Sequence, residues 1–259
     1  MNLYDYAVKY LKEHTKDSDG SVLLTDSVLD SYFEVHKASS LDEAFSRGVA
    51  SINDADKRSL ANPISSRKRK AVIDKVLCDL SLQEVRKKYN GNFEKLWHDL
   101  CNAVGAEVKP NNAWYKFAKN IISIVNFLSE FNDIDDLYAL LENAVSEEDK
   151  IKLANYIASK IDWWGFPMAN NWIKDMGMTD FSKPDRHVTA IIDDIYQTGE
   201  NSENVFMKVR EVAYECNVTP FTLDRVLYLV GSGEFYSHPT IKRSYNGEET
   251  EFIEKFKEQ

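Results

Sequence analysis

The chain has 259 residues and a formal net charge of −10, with 43% hydrophobic and 29% charged residues. That composition excludes a fibrous or low-complexity chain, suits one large globular domain or two small ones, and argues against a uniformly basic nucleic-acid surface. Three cysteines (Cys78, Cys101 and Cys216) stand at wide, unpatterned spacing, which excludes a four-cysteine iron–sulfur ligand set and fits reduced thiols better than disulfides.

The opening stretch is amphipathic and lacks an apolar core with a small-residue cleavage site, so a cytoplasmic chain is expected. Residues 2–14 read as a short helix with Leu3, Tyr6, Tyr10 and Leu11 on one side. Asp17 to Gly20 is a turn cluster, and residues 22–36 read as helix opened by Thr25 or Asp26. Ser40 and Glu43 have capping-box spacing for a helix to about Ala50, followed by a polar loop from Asn53 to Arg58. Ser65 to Lys70 is the one dense basic run, and it leads into a helix over 71–80. Ser81 and Glu84 form a second capping box, Asn90-Gly91 a turn, and Phe93, Leu96, Trp97 and Leu100 one helix face.

Val108 to Asn112 is the best linker candidate. Phe117, Ile121, Ile124, Val125 and Leu128 then mark a helix over 113–131. Further helices are expected at 134–143, from a Ser146 cap to about Lys160, at 186–197, from Val205 to Cys216, and from Thr219-Pro220 to Gly231 or Gly233. The tail from Ser237 reads as irregular until a charged helix near 248–257. The longest apolar stretch, Ile121 to Leu128, is too short to span a bilayer, and the five histidines show no metal-ligand spacing.

The chain is organised around residues 161–188. Gly165 suits a tight turn, and Met168, Trp172, Ile173 and Met176 recur at helical spacing up to a stop at Gly177. A polar loop from Thr179 to Lys183 precedes Pro184, which suits a helix start and places Asp185 in a first turn, where a negative charge is favoured. This order of turn, helix, loop and Pro-Asp-x-His-Val resembles the helix-hairpin-helix base-excision DNA glycosylase superfamily. In that family a glycine hairpin opens one helix and an aspartate opens the next. Here Gly165 and Asp185, twenty residues apart, hold those places. The resemblance covers residues 114–233, including Thr219 to Gly233, which looks like the family's closing helix.

The resemblance implies an all-α fold of two helical subdomains with a cleft between them. It divides the chain into an N-terminal helical region, 1–110, and a glycosylase-like core, 111–259, holding the hairpin (161–177) and the Pro-Asp helix start (184–185). The implied activity is a monofunctional DNA N-glycosylase that hydrolyses the bond to a damaged or modified base, with no metal, cofactor or membrane. Asp185 would be the catalytic carboxylate, stabilising an oxocarbenium-like transition state and activating water. Trp164, Gly165, Phe166, Met168, Ala169 and Lys183 would contact DNA. Trp163, Trp172 and His187 would line the pocket for an extruded base, with Trp114 and Tyr115 as further aromatics at hand. Two departures stand out. The family's Gly-x-Gly reads Trp163-Trp164-Gly165, and the place of the lysine in bifunctional members is Pro167, which argues against Schiff-base lyase chemistry.

Each residue also has a plainer reading: Asp185 as first-turn electrostatics, His187 as a structural hydrogen-bonder, Trp163 and Trp164 as packing, and Lys183 and the Arg67–Lys70 run as solvated charge. Two other functions stay open. One is a hydrolase of a modified nucleoside or of a base in RNA, which the acidic charge suits. The other is a non-catalytic helical DNA-binding or protein-interaction module.

Overall fold

The structure, a computed structural model, describes residues 1–55 and 67–259, with the side chains of 53–55 and 67–69 excepted. The Ser65–Lys70 basic run therefore lies outside the described residues apart from its backbone from Arg67 and the Lys70 side chain. The end of the expected 53–58 loop lies outside them too. Among the described residues every regular element is a helix, as expected, and pairing of extended chain is limited to two isolated bridges, Thr15–Tyr245 and Lys16–Val22. No described helix is long and apolar enough to cross a membrane.

The chain forms two compact units: Met1–His36 with Gly177–Gln259, and Lys37–Met176. The expected boundary near residue 110 falls inside the second of these.

The first unit opens with α1 (Leu3–Glu13), whose Asn2 cap accepts the Asp5 N–H and whose Leu3, Tyr6, Ala7, Tyr10 and Leu11 face is buried. α2 (Asp26–Asp30) is far shorter than the expected 22–36 helix. Thr25 caps it as anticipated, but the Ser31 hydroxyl donates to the Val28 carbonyl at 2.6 Å, and that local competition ends the helix after little more than a turn.

The second unit begins with α3 (Leu41–Ala55), which continues through the stretch from Asn53 that reads as loop. Its cap differs from the expected box. Ser40 Oγ accepts the Glu43 N–H at 3.1 Å, while the Glu43 carboxylate turns back to the Ser39 N–H at 2.8 Å. α4 (Arg67–Val76) starts within the basic run, so Arg67 to Lys70 form its first turn and not a lead-in. Cys78, Asp79 and Leu80 follow with φ of 54°, 52° and 65°, three successive non-glycine residues in left-handed conformation, which closes the helix expected to reach residue 80. α5 (Leu82–Tyr89) takes its cap from far away. Asp42 Oδ1 accepts the Leu82 N–H at 2.7 Å, and Ser81 supplies no side-chain cap.

α6 (Phe93–Val104) and α7 (Ala113–Leu128) pack on each other, joined by the short stretch that composition marks as a linker. α8 (Ile134–Glu142) and α9 (Glu147–Lys160) follow, the latter opened by a complete Ser146–Asp149 capping box. α10 (Phe166–Asp175) is buried almost all round. Trp172 and Ile173 pack into the core, while the amide nitrogens of Asn170 and Asn171 donate to Phe166 O (2.8 Å) and to Asp175 Oδ2 (3.0 Å). Tyr138 accepts the Ala38 N–H at 2.6 Å and donates to Met176 O at 2.8 Å, tying both ends of this unit to α8.

Gly177, at φ 98°, ends the α10 segment as the sequence suggests, and the chain returns to the first unit. There α11 (Arg186–Tyr196), α12 (Ser202–Glu215), α13 (Pro220–Ser232), α14 (Pro239–Ser244) and α15 (Glu249–Lys257) complete a core with α1. α12 starts before the expected Val205 because Asn201 caps it. α13 passes through Gly231 and stops at Gly233 in left-handed conformation. α14 lies in the tail that reads as irregular, with Pro239 at its first position.

Candidate functional site

Asp185 lies in the first unit and caps α11 instead of sitting in its first turn, with Pro184 just outside the helix. Its Oδ1 accepts the N–H groups of His187 at 3.0 Å and Val188 at 3.1 Å. Among the described residues Oδ2 accepts no hydrogen bond, and the residue is half-buried. The carboxylate is thus fixed by one oxygen and presents the other. The loop that delivers it is anchored from behind: the fully buried Asp224 of α13 accepts the Lys183 N–H at 3.2 Å. Phe181 and Ser182 are completely buried, so the expected polar loop is a buried strap, with Phe181 against Phe206. The Lys183 ammonium has no carboxylate partner among the described residues.

His187 faces inward from the first turn of α11. Nδ1 lies 2.7 Å from Glu249 Oε2, and the Arg186 Nε–H donates to Nε2 at 3.0 Å. The Tyr228 ring meets the imidazole edge-on at 6.1 Å.

The hairpin belongs to the second unit. Gly165 caps α10 with φ −104° and ψ 179°, an extended conformation open to any residue, and a Cβ there would meet only Pro167 Cδ at an ordinary 3.7 Å. The residue that bends the chain is Trp163, at φ 64°. This corrects the expectation that Gly165 supplies the turn. Trp163 stands at the place of the absent first glycine. The residue is 62% exposed, and Lys116 Nζ lies over its ring, 5.0 Å from the centroid. Asp162 N–H donates to Ser123 Oγ at 3.0 Å, which fixes the hairpin on α7.

The other hairpin residues are mostly packed. Trp164 and Phe166 are buried, and Ala169 is completely so; Met168 is half-buried. Trp172 is core, with Nε1 donating to Ala44 O at 3.1 Å. As an anion cradle the helix start is modest. Pro167 has no N–H, and the Met168 and Ala169 N–H groups already donate to Gly165 O at 3.0 and 3.1 Å. The Gly165 N–H is given to no acceptor among the described residues.

The structure thus gathers Lys183, Asp185 and His187 in the first unit, and Trp163, Trp164, Gly165, Phe166, Met168, Ala169 and Trp172 in the second. Two open hollows on the surface, beside Lys9 and Val22 and beside Lys37 and Tyr138, include none of these residues. Sequence reasoning missed Asp224 and Glu249, which support Asp185 and His187, and Lys116 and Lys119 on α7. The last pair left a readable signal, since α7 carries these two lysines and no carboxylate over its 16 residues. Comparison with family models, with curated proteins and with solved structures finds no match to this chain.

Proposed function

We propose that the chain is a monofunctional DNA N-glycosylase that releases a damaged or modified base by hydrolysis. As the C1′–N bond breaks, its electron pair leaves with the base and the sugar gains oxocarbenium character. A fixed carboxylate oxygen beside the sugar lowers the energy of that state, and can take a proton from the water that attacks C1′. The observation that carries the reading is the Asp185 carboxylate, held through Oδ1 by two backbone N–H groups, with Oδ2 accepting no hydrogen bond among the described residues.

Two further features support it. The left-handed turn at Trp163 falls at the position that the resemblance gives to the hairpin's first glycine, and glycine is the residue type suited to that conformation. The chain also passes from one compact unit to the other at Met176–Gly177, between hairpin and aspartate, which accords with a helix-hairpin-helix motif at 161–177 and two helical subdomains. With Pro167 in place of the hairpin lysine, the reading is hydrolysis and not strand cleavage.

The poor anion cradle at Pro167 and the net charge of −10 favour one second reading, hydrolysis of a modified nucleoside on the same carboxylate. The test is base release, read by mass spectrometry, from DNA carrying a panel of modified bases and from the matching nucleosides. Asp185→Asn keeps a capping side chain, so the fold is retained. Wild type is expected to release at least one base from DNA, with Asp185→Asn about 100-fold slower or more. Equal rates would remove Asp185 from the mechanism, and release from nucleosides alone would select the second reading.

A further inference from the structure

Trp163 is costly where it stands. A bulky residue in left-handed conformation is strained, and Trp163 is 62% exposed. The other four tryptophans are all buried. The fold itself gains little from Trp163 beyond one solvent-exposed cation–π contact with Lys116.

That lysine is one of a pair. Lys119, a turn further along α7, sits 4.9 Å from the Phe93 ring centroid and 5.1 Å from that of Tyr115, and the two rings meet edge to face at 5.3 Å. Neither Lys116 nor Lys119 pairs with a carboxylate among the described residues. Elsewhere in this unit Lys37–Glu142, Lys152–Glu148 and Lys160–Glu130 are paired, while Lys75, Lys87, Lys95 and Lys109 have no carboxylate partner among the described residues but none of them lies over Trp163. The carboxylates beside the patch in sequence, Asp162 and Glu94, reach neither ammonium. A chain of net charge −10 thus leaves Lys116 beside its openly exposed indole and Lys119 a turn further along α7, both without a carboxylate partner among the described residues.

Aromatic faces interleaved with unpaired cations match the chemistry of a nucleic-acid strand, in which bases stack and phosphates alternate. An indole can receive only a base whose face is open. We infer that this face of the second unit binds an unpaired nucleic-acid strand, with one base stacked on Trp163 and neighbouring phosphates held by Lys116 and Lys119. This deepens the proposed glycosylase reading by naming the strand that the hairpin holds, and it rests on that reading only for its biological setting. The tether from Asp162 N–H to Ser123 Oγ makes the platform rigid in advance, so binding orders little protein.

The probe is a fluorescein-labelled 12-residue oligothymidylate, with binding followed by anisotropy and, on an unlabelled copy, by tryptophan emission. Trp163 is the only tryptophan here that solvent reaches freely, so its emission is the fraction quenched by iodide. Stacking is expected to quench that fraction and to protect it from iodide. Trp163→Gly suits the left-handed backbone and retains the fold. It is expected to weaken binding about 5- to 150-fold, the range for one lost base stack. Lys116→Gln with Lys119→Gln is expected to lower the salt slope of binding by about 1.4, the value for two phosphate contacts on a single strand. Asp185→Asn is expected to bind the oligomer like wild type, so the test separates from that of catalysis. Unchanged affinity in both patch variants, unaltered tryptophan emission on binding, or binding of duplex alone would each overturn the inference.

Discussion

His187 Nδ1 lies 2.7 Å from Glu249 Oε2, joining the first turn of α11 to the first residue of α15. Because Nε2 accepts the Arg186 Nε–H, the neutral imidazole carries its proton on Nδ1 and donates it to the carboxylate. The third wall of this contact is Gly231. A Cβ built there would lie 2.8 Å from His187 Cβ and 2.5 Å from Glu249 Oε2. The glycine inside α13 is therefore a spacing device that lets the pair sit directly behind the Asp185 cap.

Gly231→Ala is accordingly expected to destabilise the protein although alanine is the better helix former. The helix gains roughly 0.5–1 kcal/mol, and overpacking costs about 1–3 kcal/mol. Glu249 can swing its carboxylate away, but His187 Cβ is fixed to the α11 backbone, so the steric cost cannot be relieved cheaply. Urea denaturation of the two proteins measures the difference. A variant as stable as wild type would mean that α13 stands further from His187 than the structure has it.

Asp185 has a structural duty separable from any chemistry. Asp185→Ala removes the acceptor for two N–H groups at the start of α11 and is expected to cost about 1 kcal/mol, while Asp185→Asn stays within a few tenths of wild type. Denaturation midpoints for the three proteins decide this. A stability loss in the asparagine form equal to that of the alanine form would show that the cap depends on the charge.

Several features of this architecture were legible because their causes are local. The apolar spacing from Phe117 to Leu128 marks α7, Ser146 and Asp149 form their capping box within one turn, and Gly177 and Gly233 end helices in left-handed conformation. What escaped the sequence depends on partners far along the chain. Asp42 caps a helix that starts forty residues later. Gly231 reads as a helix stop, because nothing nearby announces that His187 and Glu249 will crowd it. Asp185 as a helix opener was readable from Pro184-Asp185, but the Asp224 anchor beneath its loop was not. Trp163 misled for a different reason: sequence patterns assign a tight turn to glycine, and here the backbone bends at the tryptophan two residues earlier.

The three left-handed residues after α4 offer a test of backbone strain away from any site. Asp79 is exposed at φ 52°. Glycine there relieves the strain but widens the unfolded ensemble, so Asp79→Gly is expected to gain up to about 1 kcal/mol, and Asp79→Val, branched at Cβ, to lose at least as much. Thermal melts are expected to move in opposite directions for the two variants. A shift of the same sign in both would show that this segment relaxes instead of storing strain.

Acid should act on the second unit through Glu43. The Ser39 N–H, the Arg47 guanidinium and the Ser39 hydroxyl all favour its carboxylate, and they lower its pKa from 4.5 to about 2. Arg47 also donates to the Asp175 carbonyl, so this ion pair joins the start of α3 to the last residue of α10. A pKa lower in the folded state than in the unfolded one means that the unfolded chain binds the proton first. The stabilisation is therefore complete above the unfolded value near 4.5, and is lost as pH falls through about 2. The Glu43 side chain is 38% exposed, so the effect is modest and salt-sensitive. Urea denaturation at successive pH values from 5 to 2 is expected to show a steeper loss of stability in wild type than in Glu43→Gln, which has no proton to gain. Parallel curves for the two proteins would locate the acid sensitivity elsewhere in the chain.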